Sequence, residues 1–329
     1  MQNFEYMAPA DLATAVQALG TQRGLADILA GGTDQMSLMK ERIHTPTRLV
    51  SLRNIAQLRG ITSARGGVRI GATATIAELQ GSKLVAGKYN ALTQAAEGVT
   101  SPQMRAMGTV GGDLLQRPRC WYFRNGFGLL GMDAAGKSLP PQGENQYHAI
   151  LGNKGPAYFV SASSFAPALI ALGAKVKVQG PDGAREIDAA DLFQIPKNGQ
   201  ERESSLAVNE ILVEIAVPDA GKFKTATYEV RQRKLMDWPL ATASVALEMS
   251  GSNVKSARIV MGHVAPIPWR SSEAERALVG KSVSEASAAA AGKAAVASAT
   301  PLSRNKHKVR LAEIAVKRAI LRASGKELA

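Results

Sequence analysis

Two glycine-rich segments of the chain have the composition of anion-binding turns. The first, Ala30-Gly31-Gly32-Thr33-Asp34, follows a short apolar stretch, and the second, Gly108-Thr109-Val110-Gly111-Gly112-Asp113, comes much later in the chain. Glycine lets a ligand approach the backbone closely, and consecutive N–H groups ahead of a helix attract phosphate. A tight turn before a helix cap has the same composition, so one segment alone is weak evidence. Together, the two segments predict a cradle for one anion, assembled from two parts of the chain.

Other motifs for nucleotide binding and catalysis are missing from the sequence. It contains neither GxGxxG in a βαβ context nor GxxxxGK[ST], so Rossmann and P-loop proteins are excluded by motif. No Gly-x-Ser-x-Gly elbow supports a serine hydrolase. The histidines, which are His44, His148, His263 and His307, have no metal-ligand spacing. Cys120 is the single cysteine, which excludes an internal disulfide and a cluster held only by cysteines of this chain.

Composition and charge indicate a globular protein with a basic surface. Hydrophobic residues make up 45% and charged residues 20% of the 329 residues, and the formal net charge is +13. This charge suits an acidic partner, whereas the basic stripe with interleaved aromatic residues that binds nucleic acid is missing. The first residues of the chain lack a basic region followed by an apolar stretch, so we expect no signal peptide, and the chain has no apolar run of membrane-spanning length. We therefore expect a soluble protein that folds in the cytoplasm and does not insert into a membrane.

The order of predicted elements indicates an α+β chain with more than one domain. A β-α-β-α-β order at the start, in which Leu12, Val16 and Leu19 form one apolar helix face, predicts a small parallel or mixed sheet. Alternating strands after Pro218, followed by two helices, predict an antiparallel sheet with helices on one side. The stretch 117–157 has no sustained period and predicts a long functional loop. The predicted domains are 1–58, 59–218 and 219–329.

Several segments of the chain resemble, in order, segments of one protein family: the FAD-binding subunits of molybdenum hydroxylases of the xanthine dehydrogenase and aldehyde oxidoreductase type. The first glycine segment resembles the first flavin motif of that family, and residues 101–113 resemble the second. Residues 166–174 resemble the helix that follows, and residues 211–218 resemble the end of the flavin domain. The resemblance implies a PCMH-type, vanillyl-alcohol-oxidase-like FAD fold in two subdomains, followed by an α+β domain like that of carbon monoxide dehydrogenase flavoproteins.

The resemblance also implies which residues contact the cofactor. The two glycine segments would hold the FAD diphosphate, Gly71 and Thr73 would lie beside the cofactor, and Arg233 or Lys234 would approach the isoalloxazine. A cation there would stabilise the anionic reduced flavin. An exposed basic strand end explains Arg233 and Lys234 equally well. The expected cofactor-binding residues are Ala30, Gly31, Gly32, Thr33, Asp34, Gln35, Gly71, Thr73, Ser101, Gly108, Thr109, Gly111, Gly112, Asp113, Ser164, Arg233 and Lys234. We expect no catalytic or metal-binding residue in this chain.

Two departures from the family pattern stand out. The family commonly has a Ser-Asp pair before the helix at 166, where this chain has Ser163 and Ser164, so one flavin contact loses its charge. The loop 117–157 resembles an insertion of periplasmic aldehyde oxidoreductase flavin subunits that holds a four-iron cluster on four cysteines. Only Cys120 is present here, so we expect no cluster and a loop used for docking or shielding. Cys120 and His148 form too small a set for a metal site, and packing is the favoured interpretation.

The resemblance predicts an electron-transfer flavoprotein subunit. Partner 2Fe-2S clusters would deliver electrons to its FAD, a large molybdenum-cofactor subunit would oxidise the substrate, and an external acceptor would receive the electrons. One alternative is a flavin-free assembly or binding protein of the same fold. A second is a self-contained flavin oxidase, which would need a substrate pocket and a covalent flavin link. Related assemblies are exported already folded on a partner's signal, so the cytoplasm and the periplasm both remain open.

Overall fold

The computed structural model describes residues 1–233 and 237–326, which form three β-sheets with helices packed on them. The first sheet is parallel, in the order β1-β3-β2, and confirms the β-α-β-α-β order predicted from the sequence. Its first helix begins at the Asp11 cap, whose carboxylate accepts from the Thr14 N–H at 2.8 Å, and buries Leu12, Val16 and Leu19. The elements are β1 (Glu5–Met7), α1 (Leu12–Leu19), β2 (Ala26–Leu29), α2 (Gln35–Lys40), β3 (Arg48–Ser51) and a 3₁₀ turn (Ala56–Leu58).

The second sheet has five antiparallel strands in the order β4-β5-β8-β6-β7. Helices α3, α4 and α8 cover it, and the core between them contains Ile70, Leu92, Leu169 and Ile215. The elements are β4 (Ile61–Ala64), β5 (Gly67–Gly71), α3 (Ile76–Gly81), α4 (Asn90–Gly98), α5 (Pro102–Met107), α6 (Val110–Leu115), α7 (Trp121–Arg124), α8 (Ala166–Leu172), β6 (Lys175–Gly180), β7 (Gly183–Asp188) and β8 (Ile211–Pro218).

The third sheet is antiparallel, in the order β12-β11-β10-β9, as the alternating strands predicted. Successive side chains of a strand point to opposite faces. Val245 and Leu247 therefore pack against α10 and α11, while Ala246 packs with Ala171 of α8 on the other face. The elements are β9 (Phe223–Val230), β10 (Ala241–Ser250), β11 (Asn253–Gly262), β12 (Trp269–Arg270), α9 (Ser272–Leu278), α10 (Glu285–Ala295) and α11 (His307–Ala323).

Short helices begin in both the second glycine segment and the stretch 117–157. Helix α6 begins within the second glycine segment, and Thr109 caps that helix by accepting from the Gly112 N–H at 3.0 Å. The stretch 117–157 contains the short helix α7 and is otherwise irregular. It packs through Phe123 and Leu129 against Leu38 and Phe159. Among the described helices, none is both long and apolar enough to cross a membrane.

Candidate functional site

The two glycine segments meet in space. A Cβ added at Gly31 would lie 1.8 Å from the carbonyl oxygen of Met107 and 3.3 Å from the Cα of Gly108. A Cβ added at Gly108 would lie 3.6 Å from the Thr33 hydroxyl oxygen. The backbones approach so closely that no side chain fits between them at Gly31. Segments far apart in the sequence therefore form one wall, as the cradle hypothesis requires.

This wall borders a cavity of about 400 Å³. Most of the residues expected from the sequence line it, namely Ala30, Gly31, Gly32, Thr33, Asp34, Gln35, Thr73, Ser101, Gly108, Thr109, Gly111, Gly112, Asp113 and Ser164. Gly71 and Arg233 do not. Gly71 is needed for packing, because a Cβ there would lie 2.3 Å from the Leu58 carbonyl oxygen. Lys234 lies outside the described residues.

The first glycine turn (residues 31–35) presents a row of backbone N–H groups. Gly32 has a φ of +76°, a left-handed conformation that glycine adopts without strain. The carbonyl of Gly32 accepts from the Met36 N–H at 3.1 Å and so starts α2. Within the described part of the chain, no N–H group from residue 31 to residue 35 donates to a protein acceptor. Consecutive unpaired N–H groups of this kind attract anions.

The second glycine segment (residues 108–113) uses its N–H groups differently. Gly108 donates to Met104, Val110 to Ala74, and Gly111 to Ala72, over 2.7 to 2.9 Å to the carbonyl oxygens. Gly112 and Asp113 donate to the side chain and the carbonyl of Thr109. The expectation of a second row of available N–H groups is wrong for these residues. The segment is pinned to the β5–α3 connection and supplies a wall.

The aspartates at the ends of the two segments have opposite electrostatics. Burial would raise the pKa of Asp34, but the Arg119 and Arg124 guanidiniums outweigh burial and hold that pKa below its usual value. Burial raises the pKa of Asp113, although Ser163 and the backbone N–H groups of Ser164 and Phe165 donate to it. Asp34 therefore stays charged beside two cations, whereas Asp113 is a buried anchor for the start of α8.

Three arginines of the irregular stretch hold Asp34 in place. The Arg117 N–H donates to one carboxylate oxygen at 2.8 Å, and the Arg119 and Arg124 guanidiniums donate to the other, each at 2.8 Å. Sequence reasoning missed this clamp because the resemblance assigned Asp34 to the ligand. The sequence did contain a signal for this clamp: Arg117, Arg119 and Arg124 lie within eight residues, shortly after the second segment. The clamp joins the irregular stretch to the first glycine turn.

A polar chain continues from the clamp along the cavity wall. The Arg117 guanidinium lies 2.7 Å from Nε2 of His44, whose Nδ1 lies 3.3 Å from the Asp27 carboxylate. Gln35 donates to the same carboxylate at 2.8 Å. Burial, offset in part by Glu203 at 2.5 Å, lowers the pKa of Arg117 to about 10. These contacts hold two charged side chains at the cavity wall. The Arg117 guanidinium pairs with Glu203, and the Asp27 carboxylate accepts from Gln35.

Residues after β9 complete the cavity. Arg231 donates to the Asp237 carbonyl at 3.1 Å and pairs with Glu229 and with the carbonyl of Gly98. The Trp238 ring lies 4.5 Å from the guanidinium carbon of Arg119. Arg231, Asp237 and Trp238 all line the cavity. In this part of the chain, the described cation at the cavity wall is Arg231. It lies two residues before Arg233, one of the two residues that the resemblance placed near the isoalloxazine.

Cys120 and His148 lie together, apart from the cavity lining. The Cys120 sulfur is 3.2 Å from Nε2 of His148. Burial raises the pKa of the thiol, and burial together with the nearby Lys308 lowers the pKa of His148 to about 4. Both side chains are therefore neutral at pH 7. Across the described residues, no group of three or more His, Cys, Asp and Glu side chains is placed to hold a metal ion.

Comparison with known proteins covers almost the whole chain. Residues 2–220 match the family described as "FAD binding domain in molybdopterin dehydrogenase", and residues 226–323 match "CO dehydrogenase flavoprotein C-terminal domain". The chain is 30% identical to the carbon monoxide dehydrogenase medium chain of Hydrogenophaga pseudoflava, covering 91% of this chain and 88% of that protein. It is 30% identical to the FAD-binding subunit of Escherichia coli K12 aldehyde oxidoreductase, covering 80% and 83%.

The solved structures agree. Carbon monoxide dehydrogenase from Hydrogenophaga pseudoflava, in a form that lacks the Mo-pyranopterin moiety of its molybdenum cofactor, has a chain that superposes with a TM-score of 0.77. The two chains are 29% identical, and the match covers 98% of each. The sequence family and the fold therefore point to the same group of proteins.

Proposed function

Because the chain belongs to the family of FAD-binding subunits of molybdopterin dehydrogenases, we propose that the cavity behind the two glycine segments is its FAD site. The chain is an oxidoreductase subunit of the molybdenum hydroxylase type, with a flavin as its cofactor. The observation that carries the assignment of the site is the contact of Gly31 with the Met107 carbonyl, which makes one wall from both segments.

The donors at the cavity fit the chemistry of FAD. The first glycine turn offers consecutive N–H groups without protein acceptors, and a diphosphate is a strong acceptor with negative charge. The Asp34 carboxylate would repel a diphosphate, but Arg119 and Arg124 neutralise it on the other side. The second segment lies against the first at Gly31 and uses nearly all of its own N–H groups within the protein, so it contributes a wall and few donors.

The proposed role is electron transfer between partners. Bound flavin supplies the ability to accept electrons singly and to release them singly or in pairs. The chain's own residues would bind and orient the cofactor, and Arg231, paired with Glu229, lies at the cavity wall. We propose that a 2Fe-2S subunit delivers the electrons, that a large molybdenum-cofactor subunit oxidises the substrate, and that an external acceptor receives the electrons.

The test is the cofactor content of the purified chain. We expect a yellow protein with about one FAD per chain, released on denaturation and measured by absorbance. A colourless chain that is folded by circular dichroism and takes up no added FAD would contradict the proposal and support a flavin-free assembly protein. Mass spectrometry of the released cofactor distinguishes FAD from FMN, and finding FMN would contradict the assignment of a diphosphate to the first glycine turn.

A further inference from the structure

The first glycine turn contains an acidic side chain whose charge opposes the proposed ligand. Asp34 is one of the turn residues and lines the cavity, and 15% of its side chain is exposed. An aspartate at the start of a helix ordinarily accepts from backbone N–H groups of its own turn. Such a bond would take donors from the N–H row, and the carboxylate would also repel a phosphate bound there. An unrestrained Asp34 would therefore compete with the diphosphate.

The Asp34 carboxylate makes no bond of this kind. Although Asp34 directly precedes α2, its side chain accepts from none of the N–H groups at the start of that helix. Its described hydrogen bonds all come from the irregular stretch 117–157. The Arg117 N–H donates to one oxygen, and the Arg119 and Arg124 guanidiniums donate to the other. The stretch thereby occupies the carboxylate, while the N–H row of the turn keeps no protein acceptor within the described residues.

The clamp also sets the charge beside the N–H row. Asp34 is ionised at pH 7, because Arg119 and Arg124 hold its pKa below the usual value. The two guanidiniums outnumber the single carboxylate, so the group as a whole is a cation. Without one guanidinium the group would be neutral, and without both of them a bare carboxylate would stand beside the diphosphate.

One of the two arginines can act on a ligand only indirectly. Arg119 lines the cavity, whereas Arg124 is not among the described residues that line it. The Arg124 guanidinium also donates to the carbonyls of Pro118 and Arg117, at 2.9 and 3.2 Å, which fixes it within the stretch. An effect of Arg124 on cofactor binding therefore has to pass through Asp34, or act through charge at longer range.

We propose that the irregular stretch 117–157 is a required part of the cofactor site, because Arg119 and Arg124 keep the Asp34 carboxylate from competing for the N–H row that receives the diphosphate. Arg124 is on this proposal a positioning residue. The inference rests on the proposed function, since it takes the ligand of the row to be the FAD diphosphate. It gives the stretch a role inside the subunit, in addition to the docking or shielding role expected from the sequence.

The test is a double-mutant cycle on FAD affinity, measured by titration of the full-length chain after removal of its flavin. Arg124→Met removes a guanidinium and keeps an apolar side chain over the Phe123 ring, and Asp34→Asn removes the charge of the carboxylate. We expect Arg124→Met to bind FAD about tenfold more weakly than the wild-type chain. Asp34→Asn alone and the double variant should both bind within about threefold of the wild-type chain. The charge of Asp34 would then matter only when the clamp is broken.

Two results of this cycle would overturn the proposal. If the double variant bound FAD as weakly as Arg124→Met does, the clamp would support the structure without restraining Asp34. If Asp34→Asn tightened binding by the same factor with and without Arg124, the two charges would act independently. Arg65→Met is the matched control for loss of a positive charge, because Arg65 is exposed in the turn between β4 and β5. It should bind FAD as the wild-type chain does.

Fragments of the cofactor show which part of it the clamp serves. ADP has a diphosphate without a flavin, and riboflavin has the flavin ring without a phosphate. As competitors of FAD, ADP should bind about tenfold more weakly to Arg124→Met than to the wild-type chain, whereas riboflavin should bind equally to both. Equal weakening of both fragments would mean that the clamp supports the shape of the whole cavity, which contradicts the proposal.

Failure of the clamp and failure of the cofactor assignment give different results. A folded wild-type chain that binds no FAD contradicts the assignment itself. A wild-type chain that binds FAD, with Arg124→Met binding equally well, contradicts the role of the clamp alone. If Arg124→Met does not fold, Arg124→Gln takes its place in the cycle, because glutamine keeps an N–H donor for the Pro118 carbonyl.

Discussion

The two glycine segments look alike in the sequence and behave differently in the structure. Each contains a Gly-Gly pair, a Thr and an Asp. The first turn leaves its N–H groups without protein acceptors, whereas nearly all N–H groups of the second donate to protein acceptors, two of them in the β5–α3 connection. One is suited to binding a ligand, and the other is suited to building the wall against which that ligand lies.

The difference comes from backbone conformation. Gly32 has a positive φ, which curls the chain so that consecutive N–H groups are left over before α2. None of the glycines in the second segment has a positive φ, and α6 starts there with its first amides already satisfied. Glycine content therefore shows where backbones come close, and the φ angle decides whether donors remain available.

Substitution of Gly31 is expected to have the largest effect. In Gly31→Ala the new Cβ would lie 1.8 Å from the Met107 carbonyl oxygen, so the two segments must separate. We expect FAD affinity to fall at least about a hundredfold, since such overlap costs on the order of 3 kcal/mol. The measurement is FAD titration of the apoprotein, followed by flavin fluorescence.

Two other glycines provide the comparison. A Cβ at Gly112 would meet the Thr109 hydroxyl oxygen at 2.7 Å, and a Cβ at Gly81 would meet nothing within 4 Å. Because a side chain moves more easily than backbone, Gly112→Ala should weaken FAD binding by about tenfold or less. Gly81→Ala should leave it unchanged. An equal loss of FAD affinity in Gly112→Ala and Gly31→Ala would contradict this difference between a backbone contact at Gly31 and a side-chain contact at Gly112.

The next largest effect is expected on the free energy of unfolding, which should fall more when Asp113 is substituted than when Asp34 is. Asp113→Ala leaves the Ser163 hydroxyl and the Phe165 N–H buried without their acceptor, which costs about 3 kcal/mol of unfolding free energy. Asp34→Ala removes an acceptor that is more accessible, and about 1 to 2 kcal/mol is expected. Urea unfolding measures both, with the exposed Asp182→Ala as control. A larger loss for the Asp34 variant would reverse the comparison.

The smallest effect concerns pH. The pKa of Asp34 is lowered on folding, so its contribution to stability is complete above pH 3.8 and is lost as the pH falls below it. The pKa of Asp113 is raised, so stability falls as the pH rises above 3.8. Each slope is at most about 1.4 kcal/mol per pH unit. The measurement is the urea midpoint between pH 2 and 6. Asp34→Asn should lose the fall in stability below pH 3.8, and Asp113→Asn should lose the fall in stability above pH 3.8. Unchanged slopes would contradict these opposite shifts.

Local patterns predicted much of the fold. The apolar face of Leu12, Val16 and Leu19 and the run of strands after Pro218 each depend on neighbours in the sequence, and the structure agrees with them. Composition could not predict the start of α6, because its two glycines disfavour a helix, and the Thr109 cap and the surrounding packing overcome that preference. The two predicted domain boundaries, at 58/59 and 218/219, remain predictions.

The candidate site was predicted in part. Residue type and resemblance indicated most of the cavity lining. They could not indicate that Arg119 and Arg124 would bind the Asp34 carboxylate, or that Arg231 would reach the wall. Those contacts join residues that are distant in the sequence, and a single sequence carries no record of such pairs.

The cavity is lined by residues from distant parts of the chain, and this has a consequence for biosynthesis. Its lining begins at Leu19 and ends at Pro239, so it combines an early part of the chain with a late one. On the ribosome, the glycine turns are made long before the segment that holds Arg231 and Trp238. A nascent chain therefore has an open half-site until that segment emerges, and cofactor binding to the complete wall has to follow the synthesis of residue 239 of 329.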